Sequence, residues 1–390
     1  MAIQISLQSP SVSSSQYNNT IGKCAITGSS QHGMLQQTSK VKGVEGTVKM
    51  LKEIQVCLCV FFVFSFGVFY ELSQEHGCLF SCKPVSKELL KQNDVMIKDR
   101  SIIFLETTEN LQPRPLVLCS VESAARIYSD RPVIFFMKGL DNQTMGNAKS
   151  SCPSLSFLSA MKNVFLFPLH MEVLFQDTPL LSWYLQVNAT QEKDWVYIIS
   201  DAIRLAMVWK YGGIYMDTDV ISIRPIPVAN FLAAQSSQFS SNGIFSFQQH
   251  HTFLWDCMED FVQNYNGAIW GNQGPFLMTR VLKKLCNLTD FKDTEDQKCH
   301  NISFLNPQRF YPIPYKDWKM YYEVWDSTPQ FNISYALHLW NFMNQKDKKN
   351  ITIGSNILVE NLFRMYCPAT HKRLSQAVEG NEQMPQNKCG

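Results

Sequence analysis

Nothing in this chain gathers basic charge. Of its 390 residues only 17% are charged, 35 Lys and Arg stand against 33 Asp and Glu, and the formal net charge is +2. No long basic stripe appears, which excludes a nucleic-acid surface built on phosphate contacts. The cysteines lack paired C-x-x-C spacing and have no His cluster nearby, so a structural cysteine metal site is excluded too. There is no internal repeat. Long apolar runs are almost absent, with one exception near the start. What is present is 45% hydrophobic and 12% aromatic, enough for a sizeable core in one large catalytic domain or two medium ones.

The exception is "IQVCLCVFFVFSFGVFY", Ile54 to Tyr70, 17 residues without a charge. At about 1.5 Å rise per residue it is at the short end for a spanning helix. Lys40, Lys42, Lys49 and Lys52 precede it, whereas Glu71, Glu75 and His76 follow. That asymmetry places the N-terminus in the cytosol and the rest in the lumen, as a single-pass anchor. "ELSQEHGC" behind it has no small-x-small cleavage pattern, which argues against a removed signal peptide. The expected organisation is a disordered cytosolic segment over 1–53, an anchor over 54–72 and a stem over 73–100. A lumenal catalytic domain over 101–370 and a loose polar tail over 371–390 complete it.

Sequons at Asn142, Asn188, Asn287, Asn301, Asn332 and Asn350 all follow the anchor, as a secretory-pathway domain predicts. Asn18 also fits the pattern, but on the cytosolic side, where it should stay bare. Nine cysteines lie beyond the apolar run: Cys78, Cys82, Cys119, Cys152, Cys257, Cys286, Cys299, Cys367 and Cys389. In an oxidising lumen several should pair, the odd count leaves one over, and Cys286 with Cys299 is the expected short loop.

From Ser101 onward, "SIIFLET", "PVIFFMKG" and "NVFLFPL" read as buried strands. "SVESAARIY" between the first two reads as a helix opening on Ser-x-x-Ser. Strand, helix, strand in this order predicts a parallel sheet built from βαβ units. In "SDAIRLAMVWKYGG", Ala202, Leu205, Ala206 and Trp209 fall on one helical face. Ser200 or Asp201 is the expected cap, and Gly212 the expected stop. "IYMDTDV" then reads as a strand with Tyr215, Asp217 and Asp219 on one face, near its carboxyl end, where open α/β sheets bind ligands. "NGIFSF", "ISFLNP" and "YALHLW" read as further strands, and "HTFLWDCMEDFVQNY", "GPFLMTRVLKKLC" and "ILVENLFRMYC" as helices.

Two carboxylates at i and i+2 can share one hard divalent cation, Mn²⁺ or Mg²⁺, whose remaining positions accept phosphate oxygens. A nucleotide-diphosphate leaving group needs such an ion. A glycosidase pair is a poor fit: residues two apart on a strand face are roughly 6.5–7 Å apart and point the same way, whereas glycosidase carboxylates flank the bond.

"SDAIRLAMVWKYGGIYMDTDVISIRPIP", "IWGNQGPFLMTRVL" and "YALHLWN" resemble the DXD-containing α1,4-glycosyltransferases of glycosyltransferase family 32, over about Ser101 to Cys367. The resemblance implies the GT-A type nucleotide-sugar-binding fold, a Rossmann-like mixed sheet flanked by helices, behind an N-terminal transmembrane helix. It implies a Golgi type II membrane enzyme that retains the donor's configuration. The implied donor is UDP-GlcNAc and the acceptor a glycan ending in β-galactose, as in mucin-type O-glycans. Galactose transfer to lactosylceramide is the alternative within the family, and a non-catalytic lumenal glycan-binding protein the alternative outside it.

Roles for Asp201, Arg204, Asp217 and Asp219 follow from the same resemblance, and those for Asn272, Gln273, His338 and Trp340 from residue type and position. Asp201 and Arg204 match an Asp-x-x-Arg pair that contacts donor sugar or ribose. Asp217 contacts nucleotide sugar and metal, and Asp219 is the more direct metal ligand. Asn272 and Gln273 are catalytic candidates, as amides suited to sugar hydroxyls or a cationic sugar. His338 is a candidate metal ligand, and Trp340 a stacking or hydrogen-bonding partner of the diphosphate. An ordinary ion pair, loop-capping amides, and a buried core His and Trp are the bland alternatives.

Overall fold

Alternate residues of a strand face opposite ways, and in the first strands both ways are apolar, so each must be covered on two sides. The computed structural model describes residues 95–141, 152–288, 290–327 and 329–379. The apolar run Ile54–Tyr70, the first 94 residues with their sequon Asn18, and Asn142 lie outside them. Among the described residues no helix is long and apolar enough to cross a membrane.

Strands β1 (Ile102–Glu106), β2 (Val133–Met137) and β3 (Val164–Pro168) alternate with helices α1 (Pro115–Ile127) and α2 (Pro153–Ser159). Two short helices, α3 (Met171–Phe175) and α4 (Leu180–Gln186), lead to the long α5 (Trp195–Tyr211). Then come β4 (Gly213–Met216), β5 (Val220–Ser222), β6 (Phe231–Ala234) and β7 (Ser240–Phe247). Helices α6 (Thr252–Gln263) and α7 (Pro275–Cys286) precede β8 (Gln297–Cys299), β9 (Ile302–Leu305) and β10 (Ala336–His338), and α8 (Leu358–Tyr366) and α9 (Pro368–Glu379) close the described chain.

The main sheet runs β3-β2-β1-β4-β7-β6-β9-β8, and β10 and β5 form a separate pair. The expected parallel sheet is there as β3-β2-β1-β4. From β7 onward the sheet is mixed, because β7 runs antiparallel to both β4 and β6. Ile102 and Phe104 pack with Leu118 and Val121 of α1 and with Leu358 and Leu362 of α8. Ile103 and Leu105 face the other layer, with Ile199 and Ile203 of α5, Phe253 and Phe261 of α6, and Leu277 and Leu282 of α7.

Three sequence expectations shift. Helix α1 starts at Pro115 rather than Ser120, because proline in the first turn loses no hydrogen bond and has its φ already set. Helix α5 starts at Trp195, since Ile198 and Ile199 are buried and extend the apolar face back a turn. Ser200 and Asp201 therefore lie inside the helix, not at its cap. Gly212 does end it, at φ +67°, and a Cβ there would collide with the Asp99 side chain and the Gln249 amide.

The third shift is the tail. Residues 371–379 are not loose, because α9 continues to Glu379. Two ties hold its start. A disulfide joins Cys119 to Cys367, and the buried Glu122 carboxylate accepts from the Ala369 amide (2.9 Å), the Thr370 amide (2.7 Å) and the Thr370 hydroxyl (2.7 Å). Glu122→Ala leaves these donors unmet, and urea unfolding is expected to show a loss of about 2 kcal/mol. The Cys286–Cys299 disulfide is present as expected, and Cys257 is buried and unpaired. The described sequon asparagines, Asn188, Asn287, Asn301, Asn332 and Asn350, are all exposed.

Candidate active site

The strand expected through "IYMDTDV" breaks at the first carboxylate. β4 stops at Met216, Asp217-Thr218-Asp219 turns, and β5 leaves the main sheet to pair with β10. The turn is held from both sides. The Asp217 amide donates to Gly243 O (2.8 Å), the Val220 amide to Asp217 O (3.2 Å), and Thr218 O lies 2.8 Å from the Ser120 hydroxyl of α1. The carboxylates thus converge through a turn rather than by strand alternation. The turn still lies at the carboxyl end of β4, where parallel strand β1 and antiparallel β7 flank it, a place where α/β sheets open.

His338 arrives by register, because it pairs with Val220 directly after the turn. Its Nε2 lies 3.4 Å from Asp219 Oδ1 and 3.7 Å from Asp217 Oδ2. Its Nδ1 accepts the Trp340 amide at 3.2 Å, so Nε2 is the protonated nitrogen facing the carboxylates. The second oxygen of Asp219, Oδ2, accepts the Asn341 amide at 2.8 Å.

Arg204 rises from the middle of α5 and is buried. Nη1 meets Asp217 Oδ1 at 3.0 Å and donates to Asn242 O at 2.9 Å. Nη2 donates to the Ser200 hydroxyl at 2.8 Å, Nε to Ser200 O at 3.2 Å, and the guanidinium lies over the Tyr215 ring at 4.7 Å. Its pair with Asp201 is longer, 3.6 Å. The expected i, i+3 partners share a face, but the short ion pair runs across to Asp217. Arg204 therefore orients Asp217, and its N–H groups are taken up by the protein.

Electrostatics separate the carboxylates. Burial pushes Asp217 up, but Arg204, His338 and the Tyr215 hydroxyl (2.6 Å) outweigh it and hold the carboxyl below the usual range. Burial raises Asp219, and the neighbouring Asp217 charge adds to it against the pull of His338. Burial likewise pushes Asp201 up to about 6, despite Arg204 and the Asn242 amide, which donates to it at 2.6 Å. Burial would lower His338, but Asp219 and Asp217 raise it instead.

The donor set fits a hard divalent cation. Ligand atoms of Asp217, Asp219 and His338 lie within 4.8 Å of one another. Metal–ligand bonds of about 2.1 Å place octahedral neighbours ~3 Å apart and opposite ligands ~4.2 Å apart. Separations of 3.4 and 3.7 Å are wider than good hydrogen bonds and near that spacing. Gly243 keeps the space open, since a Cβ there would lie 2.7 Å from Asp217 Oδ2 and 3.4 Å from His338 Nε2. Ligation through Nε2 requires the imidazole to give up its proton, so a cation and acid compete for this nitrogen.

Other expected residues are placed differently. Gln273 is buried and donates to Phe261 O at 2.8 Å, and its Oε1 accepts from the Asn272 side chain. Asn272 also donates to Asn264 O (3.0 Å), and Arg280 donates to Asn272 O (2.9 Å). These amides brace the loop between α6 and α7, and their polar atoms are spent there rather than aimed at the carboxylates. Trp340 lies just past β10 at φ +54°, largely buried, with Nε1 donating to Ile313 O at 2.8 Å. Its N–H is thus not free for a diphosphate, and its backbone serves to orient His338. Gly274 was not anticipated. A Cβ there would lie 2.8 Å from Asp201 Oδ2 and 2.9 Å from Asn242 Nδ2, so only a glycine lets the chain pack this close to that pair. Asn242 and Gly243 were missed too, although a glycine inside "SSNGIFSF" is a signal of close approach.

Two family models match. "Glycosyltransferase sugar-binding region containing DXD motif" covers residues 115–239, and "Alpha 1,4-glycosyltransferase conserved region" covers residues 246–374. The human alpha-1,4-N-acetylglucosaminyltransferase is 58% identical over 332 residues, 85% of this chain and 97% of the human protein. The chain belongs to the α1,4-glycosyltransferase family. A second member, lactosylceramide 4-alpha-galactosyltransferase of Rattus norvegicus, is 40% identical over 281 residues, 70% of this chain and 76% of the rat protein. Among solved structures, a galactosyltransferase in complex with donor and acceptor sugar analogues has 10% identity and a TM-score of 0.34, covering 61% of this chain and 86% of its own. Family membership makes the chain a glycosyltransferase, and the DXD region of the family is the turn at Asp217 and Asp219.

Proposed function

We propose that this glycosyltransferase transfers N-acetylglucosamine from UDP-GlcNAc, in α1,4 linkage and with retention, to the terminal β-galactose of mucin-type O-glycans. The observation that carries the reading is the convergence of Asp217, Asp219 and His338 beside the Arg204–Asp201 pair. The choice of sugar is supported by 58% identity to the human N-acetylglucosamine enzyme against 40% to the rat galactose enzyme. The fold we assign is the GT-A type, in keeping with a nucleotide-sugar site at the carboxyl end of β4.

In this reading Asp217, Asp219 and His338 would hold Mn²⁺ or Mg²⁺, which would supply positive charge to offset that of the diphosphate leaving group. Arg204 keeps Asp217 ionised and aimed. Asp201, packed against Gly274, accepts hydroxyls of the donor sugar or ribose. The bond from the anomeric carbon to the diphosphate breaks with its electron pair on UDP, the acceptor O4 bonds to that carbon, and the O4 proton passes to the departing diphosphate oxygen. The domain works in the Golgi lumen behind the Ile54–Tyr70 anchor, a topology supported by the charge asymmetry around that run and by the exposed sequons.

The test is a donor competition. The purified full chain with Mn²⁺ is given UDP-GlcNAc and UDP-galactose together, with β-galactosides or lactosylceramide as acceptors, and the product linkage is read by nuclear magnetic resonance. We expect an α1,4-linked N-acetylglucosamine product. A pocket that hydrogen-bonds the acetamido group leaves its partners unpaired with galactose, so discrimination should be large. Faster galactose transfer to lactosylceramide would replace this reading with the other family activity, and no transfer from any donor would point to glycan binding alone.

A further inference from the structure

Three large aromatic side chains stay half in water at one spot. Trp270 is 47% exposed, Phe342 43% and Tyr197 36%. Trp270 and Phe342 stack with centroids 4.3 Å apart and planes 19° apart, and Tyr197 meets both edge-on, at 4.9 and 5.3 Å. They come from three separate parts of the chain: the first turn of α5, the loop between α6 and α7, and the segment after β10. The Gln345 side chain donates to the Tyr197 hydroxyl and ties that last segment to α5.

Each ring is close along the chain to a residue of the active site. Tyr197 stands four residues before Asp201 on α5, so the two share a helix face. Trp270 stands four residues before Gly274, which borders Asp201 Oδ2. Phe342 follows Asn341, whose amide holds Asp219 Oδ2 at 2.8 Å. The cluster is therefore at the rim of the site, and Ile269 (49% exposed) and Met343 (38%) sit beside Trp270 and Phe342 in sequence. A contiguous apolar patch beside a polar site marks a surface that a ligand covers.

We propose that Trp270, Phe342 and Tyr197 form a stacking platform for the terminal β-galactoside of the acceptor, an inference that rests on the transfer to galactose O4 given above. A β-galactopyranose presents the axial hydrogens of C1, C3 and C5 on one face, which is apolar, and its axial O4 on the other. Stacked by its apolar face on an aromatic ring, it leaves O4 free to point at the donor. The extension of exposed apolar surface suits an oligosaccharide better than one isolated ring.

The experiment uses the full chain with Mn²⁺ and measures acceptor KM, donor KM, and the slow hydrolysis of UDP-GlcNAc without acceptor. Trp270→Ala should raise acceptor KM roughly tenfold, with donor KM and donor hydrolysis unchanged, and Trp270→Phe should recover most of the loss. Phe342→Leu, a milder change, should give a smaller rise of the same kind and covers the case in which Trp270→Ala does not fold. An unchanged acceptor KM in folded Trp270→Ala, or an equal rise in donor KM, would overturn the platform. If the unaltered chain hydrolyses UDP-GlcNAc but transfers nothing to β-galactosides, the acceptor assignment itself fails and the platform with it.

Discussion

Replacing Asp219 by asparagine is expected to cut transfer by on the order of 10²–10³-fold, the scale for losing one preorganised electrostatic group in an active site. Asn keeps the shape and the oxygen that accepts the Asn341 amide (2.8 Å) but removes the charge a divalent ion needs. The loss should appear as weaker Mn²⁺ activation as well as lower kcat. Stability should be held or improved, because burial and the Asp217 charge already disfavour ionised Asp219 in the folded chain. A Mn²⁺ titration of activity beside a thermal melt checks both. Full activity of Asp219→Asn in excess chelator would reduce the paired carboxylates to an ordinary turn.

Arg204→Ala is expected to damage folding and catalysis together. Its guanidinium is the short ion-pair partner of Asp217 at 3.0 Å and also spans Ser200 and Asn242. Removing one member of a buried pair costs about 3–5 kcal/mol, because the other charge is left without compensation. The pH dependence should invert. With Arg204 present, Asp217 sits below its ordinary range, so its contribution is full above the unfolded value near ~4 and is lost as pH falls through the folded one. Without the guanidinium, burial dominates, the carboxyl rises, and stability falls as pH climbs toward neutrality. Arg204→Lys should restore little, since one ammonium cannot serve acceptors on opposite sides of a planar fork. Urea midpoints measured between pH 4 and 8 read the sign directly. An Arg204→Ala protein with unchanged stability but a raised donor KM would instead make Arg204 a donor contact, as the family resemblance alone implied.

Much of the helical and strand pattern was legible because burial leaves a periodic trace. The β1 and β2 runs are buried along nearly their whole length and sit inside the sheet, whereas the similar β3 run lies at its edge and is partly exposed. Leu205, Ala206 and Trp209 mark α5 by spacing. The errors fall at element ends. Ser120 resembles a cap but is an interior residue, because Pro115 opens the helix. The tail after Cys367 is polar in composition, yet the Cys119 disulfide and the buried Glu122 tie it down from about 250 residues away in sequence. Composition has no term for such long-range anchors.

Residue order by itself determined the chemistry available: two acidic side chains one residue apart, a helix and a Gly-Gly stop before them, and sequons behind an apolar run. Tertiary structure decided which groups use it. Only the antiparallel register of β10 on β5 carries His338 to the carboxylates, and only the turn after Met216 aims Asp217 at Arg204. The missing side chain of Gly243 leaves room for an ion, and that of Gly274 lets the start of α7 pack closely against Asp201. The amides of Asn272 and Gln273, read as catalytic candidates, donate to carbonyls at the end of α6, those of Asn264 and Phe261. The reason is physical. Side-chain type and local spacing are written along the chain, whereas the few ångströms that separate a ligand from a brace are set by contacts between segments far apart in sequence.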